Sequence, residues 1–229
     1  MPTFDIIKEI KPFKSFRTES VKGQFDLSID NVKERFTGNI DIEGKEWSIG
    51  LIVGSSGSGK STIAKKIFSD DYIQSFQYDE KSVLDNMPQN SSTEEITKTF
   101  NSVGFATVWS WLKPYHVLSN GEKMRVDLAR AVLSDKETIV FDEFTSVVDR
   151  TVAKTASFAI GKSIKKLKKK FVAVACHYDI IEWLEPDWIY DTDKKQFFFV
   201  QERTKDQNCN LKLENVIQKS GSYLKSITI

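Results

Sequence analysis

Short apolar runs alternate along this chain with segments of helical periodicity. Three of the runs lie at 47–53, 138–141 and 171–176, and polar or turn residues bound each of them. Continuous apolar runs of this length are typical of strands buried on both faces of a parallel sheet. Between them, apolar residues recur at helical spacing, as Ile63 and Ile67 do. The pattern therefore predicts an α/β fold with a largely parallel central sheet.

Strict alternation of apolar and polar residues precedes the first buried run. Phe25, Leu27 and Ile29 alternate with polar residues, and Ile40 and Ile42 do the same. Such alternation indicates antiparallel strands with one polar face. We therefore expect an antiparallel β flank in this part of the chain.

Helical spacing predicts further helices and bounds an insert. A helix at about 93–103 has a capping box at its start, in which Ser92 and Glu95 take part. We expect one domain over residues 1–229, with a short helical insert at about 83–135. Further helices are expected at 124–133 and from 150 to about 170, and short strands at 188–190 and 197–200. From about 201 to 229 the signals fade.

The turn between the first buried run and its helix is rich in glycine and serine. Glycines let backbone N–H groups converge on an anion at the positive end of a helix. This arrangement is a P-loop, in which Lys60 reaches the outer phosphates of a nucleoside triphosphate and Ser61 ligates Mg²⁺. The alternative, a serine- and glycine-rich linker, leaves the flanking strand and helix unexplained. The predicted nucleotide-binding residues are Gly54, Ser55, Ser56, Gly57, Ser58, Gly59, Lys60, Ser61 and Thr62.

Three other polar stretches follow predicted elements. Asp142 and Glu143 come directly after the run at 138–141, and His177 follows the run at 171–176. Ligands bind at this carboxyl end of the strands in open α/β sheets. The stretch 118–123 opens a helix with serine and glycine, which makes a second candidate anion site.

In this order, the stretches resemble the motifs of the nucleotide-binding domain of ATP-binding cassette (ABC) ATPases. Residues 54–61 match the Walker A loop, and 118–122 are similar to the signature motif. Residues 139–143 match the Walker B strand, 146–149 the D-loop, and His177 stands at the position of the switch histidine. The resemblance covers about residues 25–200. A GTPase would need an Asn/Thr-Lys-x-Asp motif, and the sequence has none.

The resemblance implies a role for each residue of the site. Asp142 would hold the hydration shell of Mg²⁺, and Glu143 would orient and deprotonate the attacking water. His177 would contact the γ-phosphate or hold the attacking water from the far side. The competing interpretations are a surface carboxylate for Glu143 and a solvated side chain for His177. The activity implied is ATP hydrolysis, with ATP and Mg²⁺ as ligands.

In this family the signature motif closes on ATP that is held by a second subunit, so the resemblance also implies a homodimer on ATP binding. Ser119, Asn120 and Gly121 would act in trans. Two residues depart from the family pattern, since Asn120 replaces a glycine and Glu122 a glutamine. Asparagine tolerates a left-handed conformation, whereas an acidic side chain beside an anion site is expected to slow turnover.

Two further family features are assigned from single residues. Phe36 precedes the P-loop and is the candidate for stacking on adenine, although it is equally expected as plain core. Gln77 is the candidate for the Q-loop glutamine that contacts the metal, with Asp79 as the alternative.

The insert points to a particular branch of the family. Only 59 positions separate Lys60 from Ser119, fewer than in transporter cassettes. The amino-acid sequences of 116–123 and 176–188 are similar to those of soluble family members that are fused to, or paired with, a predicted GNAT-type acetyltransferase. We also predict that Trp109 or Trp111 is partly exposed and anchors a protein partner, the alternative being that both are core.

Composition narrows the remaining choices. The chain carries 33 Lys plus Arg and 32 Asp plus Glu, so a nucleic-acid surface would have to be local. Its start does not resemble a signal peptide, and no apolar stretch approaches the roughly 20 residues of a membrane span. With two cysteines, a reduced cytoplasmic location is expected. One lysine run suits either a helix C-terminus or a nucleic-acid surface: Lys162, Lys165, Lys166, Lys168, Lys169 and Lys170.

The sequence therefore predicts a soluble ABC-type ATPase whose ATP-dependent dimer serves a partner or a nucleic-acid task. One alternative is a slow ATP-gated module that recruits a protein or a nucleic acid. The other is the ATPase subunit of a transporter, which the short insert disfavours.

Overall fold

A six-stranded sheet forms the centre of the part of the chain that the computed structural model describes, which comprises residues 3–11, 13–27 and 32–200. The strands are β1 (Thr3–Ile10), β2 (Val32–Asn39), β3 (Ile49–Val53), β4 (Tyr72–Ile73), β5 (Thr138–Phe141), β6 (Lys170–Ala175), β7 (Trp188–Asp191) and β8 (Gln196–Phe199). The helices are α1 (Phe16–Gln24), α2 (Lys60–Ile67), α3 (Thr93–Ser102), α4 (Val108–Trp111), α5 (Asn120–Leu133), α6 (Arg150–Leu167) and α7 (Ile180–Leu184). A 3₁₀ turn covers Tyr115–Val117.

The strand order is β4-β5-β6-β3-β7-β8, and all pairs are parallel except β7–β8. Every residue of β3 is buried, because successive side chains enter the cores on opposite faces of the sheet. Ile49, Leu51 and Val53 pack in one core, and Ile52 packs in the other with Ile63 of α2. The predicted α/β fold with a largely parallel sheet is confirmed.

The antiparallel flank is confirmed, but its strands lie elsewhere than predicted. β1 pairs with β2, with Thr3 opposite Asn39. Phe25 is the C-cap of α1, and Leu27 follows it outside any strand; Ile29 lies outside the described residues. A capping box between Ser15 and Thr18 starts α1, and the helix ends at Phe25, the first residue of the predicted strand.

The predicted strand at Ile40 and Ile42 is also wrong, since both residues follow the end of β2. Ile40 is nonetheless fully buried and packs with Ile52 in a core. Its apolar side chain is therefore explained by packing and not by a strand.

The helices of the predicted insert region are close to those expected. α3 starts at the predicted capping box of Ser92 and Glu95. α5 begins at Asn120, four residues earlier than predicted, because Ser119 caps it. The two-residue strand β4 was not predicted, and it pairs with β5 at the edge of the sheet.

The division into one domain with an insert at 83–135 stays a prediction, and the tail at 201–229 lies outside the described residues. Among the described helices, none is long and apolar enough to cross a membrane.

Candidate nucleotide-binding site

The P-loop connects β3 to α2 and is already curled around the amine of Lys60. Gly57 and Gly59 have φ angles of 82° and 87°, which favour glycine. Lys60 is only 9% exposed, and its Nζ donates a hydrogen bond of 2.6 Å to the carbonyl oxygen of Ser55. The N-cap Gly59 makes no side-chain cap. The first N–H groups of α2 are therefore left without a side-chain partner at its N-cap, as an anion site requires.

Ser61 and Asp142 lie together beside this loop. Ser61 Oγ donates to Asp142 Oδ1 at 3.1 Å, and the backbone N–H of Glu143 donates to the same oxygen at 2.9 Å. The hydroxyl of Tyr72 donates to Asp142 Oδ2, and partial burial, followed by this hydrogen bond and the charge of Asp142, raises the pKa of Tyr72. Hydroxyl and carboxylate oxygens are the ligands that Mg²⁺ prefers, so these residues fit that ion.

Glu143 takes a left-handed conformation, with a φ of 51°, directly after Asp142. Such a conformation is uncommon for a residue other than glycine and is often found at functional sites. The next residue, Phe144, is fully buried and donates its N–H to the carbonyl oxygen of Val174 at 2.9 Å. This neighbour holds the backbone in place while the Glu143 side chain stays exposed at the end of β5.

His177 lies just past the end of β6, the strand next to β5. Partial burial and then the charge of Arg150 lower the pKa of His177, against the opposing effect of Asp179. Arg150 Nε donates to Asp179 Oδ2 at 2.8 Å. Asp149 caps the same end of α6 by accepting bonds of 2.9 and 3.0 Å. The D-loop end of α6 and the His177 loop are thus joined by an ion pair.

Phe36 stands beside the P-loop. A Cβ atom at Gly59 would lie 2.4 Å from its ring, so the ring rests directly on that glycine. Phe36 also lines a pocket of about 510 Å³ between β2, the P-loop and the β7–β8 turn. This position is compatible with base stacking, and the half-buried ring also packs on the core. The role of Phe36 stays a prediction.

Gln77 is exposed, and among the described residues no hydrogen bond joins its side chain to Ser61 or Asp142. Its carbonyl oxygen accepts a bond of 2.7 Å from Arg130 of α5. Asp79 instead accepts bonds from Lys81 and Asn86. Besides Ser61, the structure brings the hydroxyl of Tyr72 to Asp142, a contact that sequence reasoning missed. The role of Gln77 as a metal contact stays a prediction.

The signature stretch begins α5, and its serine is already engaged. Ser119 is the N-cap, and its Oγ donates to Glu122 Oε2 at 2.8 Å while its N–H donates to the same oxygen at 3.0 Å. Ser110 of α4 donates to the other carboxylate oxygen at 2.6 Å. The bond from Ser110 and those from Ser119 hold the pKa of Glu122 below its usual range. Asn120 is the first helical residue and needs no left-handed conformation.

A half-buried polar cluster ties α5 to the segment after β4. Asp127 accepts bonds from the hydroxyls of Tyr78 at 2.7 Å and Tyr115 at 2.8 Å. The two rings stack with centroids 3.8 Å apart, and Arg130 lies 4.8 Å from the centroid of Tyr78. The acidic and aromatic residues could be seen in the sequence, but their meeting depends on the fold.

The described residues have the P-loop fold of ABC cassettes. The structure is similar to the dimeric structure of MJ0796, a bacterial ABC transporter cassette, with a TM-score of 0.58, 17% sequence identity, and coverage of 76% of this chain and 94% of that chain. The dimeric structure of a post-hydrolysis state of the ATP-binding cassette MJ0796, bound to ADP and Pi, is also similar. Its TM-score is 0.58 at 16% sequence identity, and the match covers 85% of this chain and 99% of that chain.

Curated relatives agree with this class. The chain is 26% identical to the lactococcin-A transport/processing ATP-binding protein LcnC of Lactococcus lactis subsp. lactis, over 74% of this chain and 30% of LcnC. It is 23% identical to the uncharacterized ABC transporter ATP-binding protein MJ1242 of Methanocaldococcus jannaschii, over 76% of this chain and 43% of that protein. The matches span less than half the length of either relative.

A family model described as NB-ARC domain matches residues 25–150, more than half of the chain. By that match the chain belongs to the NB-ARC family. The matched span includes the P-loop and the strand that leads to Asp142, but it stops before His177 and β7–β8. The ABC cassettes cover more of the chain, so the fold of the whole described part is assigned from them.

Proposed function

We propose that this chain is an ATP hydrolase that works as a nucleotide-sandwich dimer. The observation that carries the proposal is the Ser61–Asp142 pair, which lies beside a P-loop already formed around Lys60. Glu143 follows directly at the end of the same strand. These are the parts that phosphoryl transfer to water requires, since it depends mainly on positioning and on charge neutralisation.

Each residue then has a task that its position supports. Lys60 and the free N–H groups of the loop bind the outer phosphates. Glu143 accepts a proton from the attacking water. His177 is neutral near neutral pH because its pKa is lowered, so one ring N–H remains to bond a phosphate oxygen. Mg²⁺, when bound at Ser61 and Asp142, would neutralise charge on the phosphates.

The second half of each site comes from another copy of the chain. The N-terminus of α5, with Ser119, Asn120 and Gly121, would close on the nucleotide held by the partner. The dimeric cassette MJ0796 supports this arrangement as a fold analogy. The direct test is ATP turnover measured as a function of protein concentration, which should rise faster than linearly. Turnover strictly proportional to concentration at all dilutions would contradict the proposal.

An exposed apolar surface around α4 favours a function that is coupled to a protein partner. Trp109 is 70% exposed and lies beside the exposed side chains of Val108 and Leu112, whereas Trp111 is 8% exposed. The prediction that Trp109 or Trp111 is partly exposed is thus confirmed by Trp109, whereas Trp111 is part of the core. An exposed apolar patch of this kind marks an interaction surface, and we propose that Trp109 anchors a protein partner at the cytoplasmic location expected from the sequence.

The identity of that partner distinguishes the alternatives. The relatives named above are transport proteins, which favours a transporter partner. An acetyltransferase partner rests on the sequence resemblance alone. A nucleic-acid partner is less favoured, because Lys169 donates to the carbonyl oxygens of Val132 and Ser134, and Lys170 lies 5.0 Å from the ring centroid of Trp47. Turnover with membrane subunits, candidate proteins, DNA or RNA added separates these tasks from slow ATP-gated recruitment.

A further inference from the structure

Residues 191–195, the last residue of β7 and the turn that leads to β8, contact the P-loop. Asp193 accepts two bonds from Ser55, one from its backbone N–H at 2.8 Å and one from its hydroxyl at 2.7 Å. Thr192 Oγ1 lies 2.6 Å from Ser58 Oγ. Three polar bonds therefore join this turn, which we name the clamp turn, to two residues of the loop.

The contact is too close for any side chain at the start of the loop. A Cβ atom at Gly54 would lie 2.1 Å from Thr192 Oγ1 and 3.3 Å from Asp193 Cγ. The backbone N–H of Thr192 also donates to the carbonyl oxygen of Val53 at 2.9 Å. The clamp turn and the P-loop consequently form one packed unit, and a shift of either must displace the other.

Tyr178 connects this unit to the switch histidine. Its hydroxyl lies 3.1 Å from Asp191 Oδ1 and 3.2 Å from Asp193 Oδ2, and it directly follows His177 in the chain. Burial and the two carboxylates raise the pKa of Tyr178, so it remains a donor. Asp191 is itself held by the N–H groups of Asp193 and Lys194, each at 3.0 Å.

We propose that Asp193 and Tyr178 are positioning residues for the nucleotide reaction. Asp193 holds the first turn of the P-loop in its phosphate-binding form. Tyr178 ties the His177 loop to the same carboxylate, so that the histidine keeps its place relative to the bound phosphates. The part that concerns His177 rests on the proposed ATP hydrolysis, whereas the part that concerns Asp193 requires only nucleotide binding.

Two variants test the two parts by different readouts. Asp193→Ala should raise the dissociation constant of a fluorescent ATP analogue about tenfold, because two bonds to a charged acceptor are lost. Asp193→Asn keeps one acceptor and should give an intermediate value. The control is Asp135→Ala, which removes an exposed aspartate before β5, at the end of that strand opposite Asp142. It should bind the analogue as the wild type does. Tyr178→Phe should lower kcat about fivefold with a dissociation constant within twofold of the wild type.

A purely structural role gives a different result. Lower melting temperatures with unchanged dissociation constants and unchanged kcat would overturn the proposal. Wild-type binding by a folded Asp193→Ala variant would overturn the clamp even if hydrolysis persists. If the wild type binds the analogue without hydrolysing ATP, the proposed hydrolysis and the Tyr178 part fail, and the dissociation constants of the Asp193 variants still decide the clamp.

Discussion

The N-termini of α2 and α5 are both built from serine and glycine, yet they differ in how their first N–H groups are used. At α2, the N-cap Gly59 makes no side-chain cap, so we call this N-terminus the open end and that of α5 the capped end. Ser55 in the loop before α2 is held by bonds to Lys60 and Asp193. At α5, Ser119 and Glu122 form a complete capping box. The first end is ready for an anion, whereas the second already carries a carboxylate.

This difference suggests an order of events. On the proposed function, ATP would bind first at the open end, where the helix dipole and Lys60 attract the phosphates. The capped end of a second copy can follow only when the nucleotide competes with Glu122 for Ser119. Ser110 extends this arrangement to α4, since it bonds the other oxygen of Glu122. A partner that contacts α4 at Trp109 would therefore be linked to the signature serine through two hydrogen bonds, from Ser110 to Glu122 and from Ser119 to Glu122.

The largest effect is expected at Glu143, the residue after Asp142, whose side chain bonds Ser61 at the open end. Glu143→Gln should lower ATP hydrolysis by about 10²–10⁴-fold, the usual contribution of a positioned general base. ATP binding should be retained, because Glu143 donates only its backbone N–H to Asp142. Single-turnover hydrolysis together with equilibrium binding checks both parts. Hydrolysis at the wild-type rate would show that Glu143 is not the base.

The two tryptophans of α4, the helix that bonds the capped end through Ser110, provide the next test. Trp111→Ala should lower the free energy of unfolding by about 3–5 kcal/mol, since a buried indole leaves a cavity. Its Nε1 also donates to the carbonyl oxygen of Phe105 at 2.9 Å. Denaturant titration measures the loss.

The matched control is Trp109→Ala, which is expected within about 0.5 kcal/mol of the wild type because the side chain is exposed. It should reduce partner capture while leaving basal turnover unchanged. Equal stability losses for both variants would contradict the assignment of Trp109 to a surface patch.

A smaller effect, a loss of ATP affinity, is expected when the amine of Lys60 is removed from the open end. Lys60→Ala should weaken ATP binding by about 10–100-fold, the equivalent of one charge-assisted bond. The binding constant is measured by calorimetry, and circular dichroism serves as the folding control. An unchanged constant would mean that the loop binds the phosphates through N–H groups alone.

The smallest effect sharpens the comparison at the capped end. Glu122→Gln keeps a capping side chain and removes the negative charge beside Ser119. Turnover should rise about threefold, because the phosphates no longer meet a carboxylate there. Steady-state kinetics at saturating ATP is the measurement. Slower turnover in a variant of normal stability would show that the charge of Glu122 assists the reaction.

The parts of the fold that the sequence predicted correctly are local. The strands β3, β5 and β6 are continuous apolar runs, and the Ser92–Glu95 capping box needs only four neighbouring residues. The P-loop is likewise a local strand, turn and helix. Each of these signals is complete within a short window, so one sequence suffices to recognise it.

The failures involve partners that are distant along the chain. β2 is a strand because β1 pairs with it across the whole helix α1, and no alternation near residue 25 reveals this. Tyr72 reaches Asp142 only because β4 lies beside β5. Asp193 meets Ser55 only because β7 lies beside β3. These contacts follow from the order of the strands, which the sequence pattern does not specify.

The central claim is that two chains share each nucleotide, and sedimentation of the Glu143→Gln variant with ATP and Mg²⁺ tests it most directly. We predict a monomer without ATP and a dimer with ATP, because the bound nucleotide then bridges Lys60 of one copy and Ser119 of the other. Adding Ser119→Arg to the same variant should abolish the dimer while ATP binding remains. A species that stays monomeric with saturating ATP at every protein concentration would contradict the account.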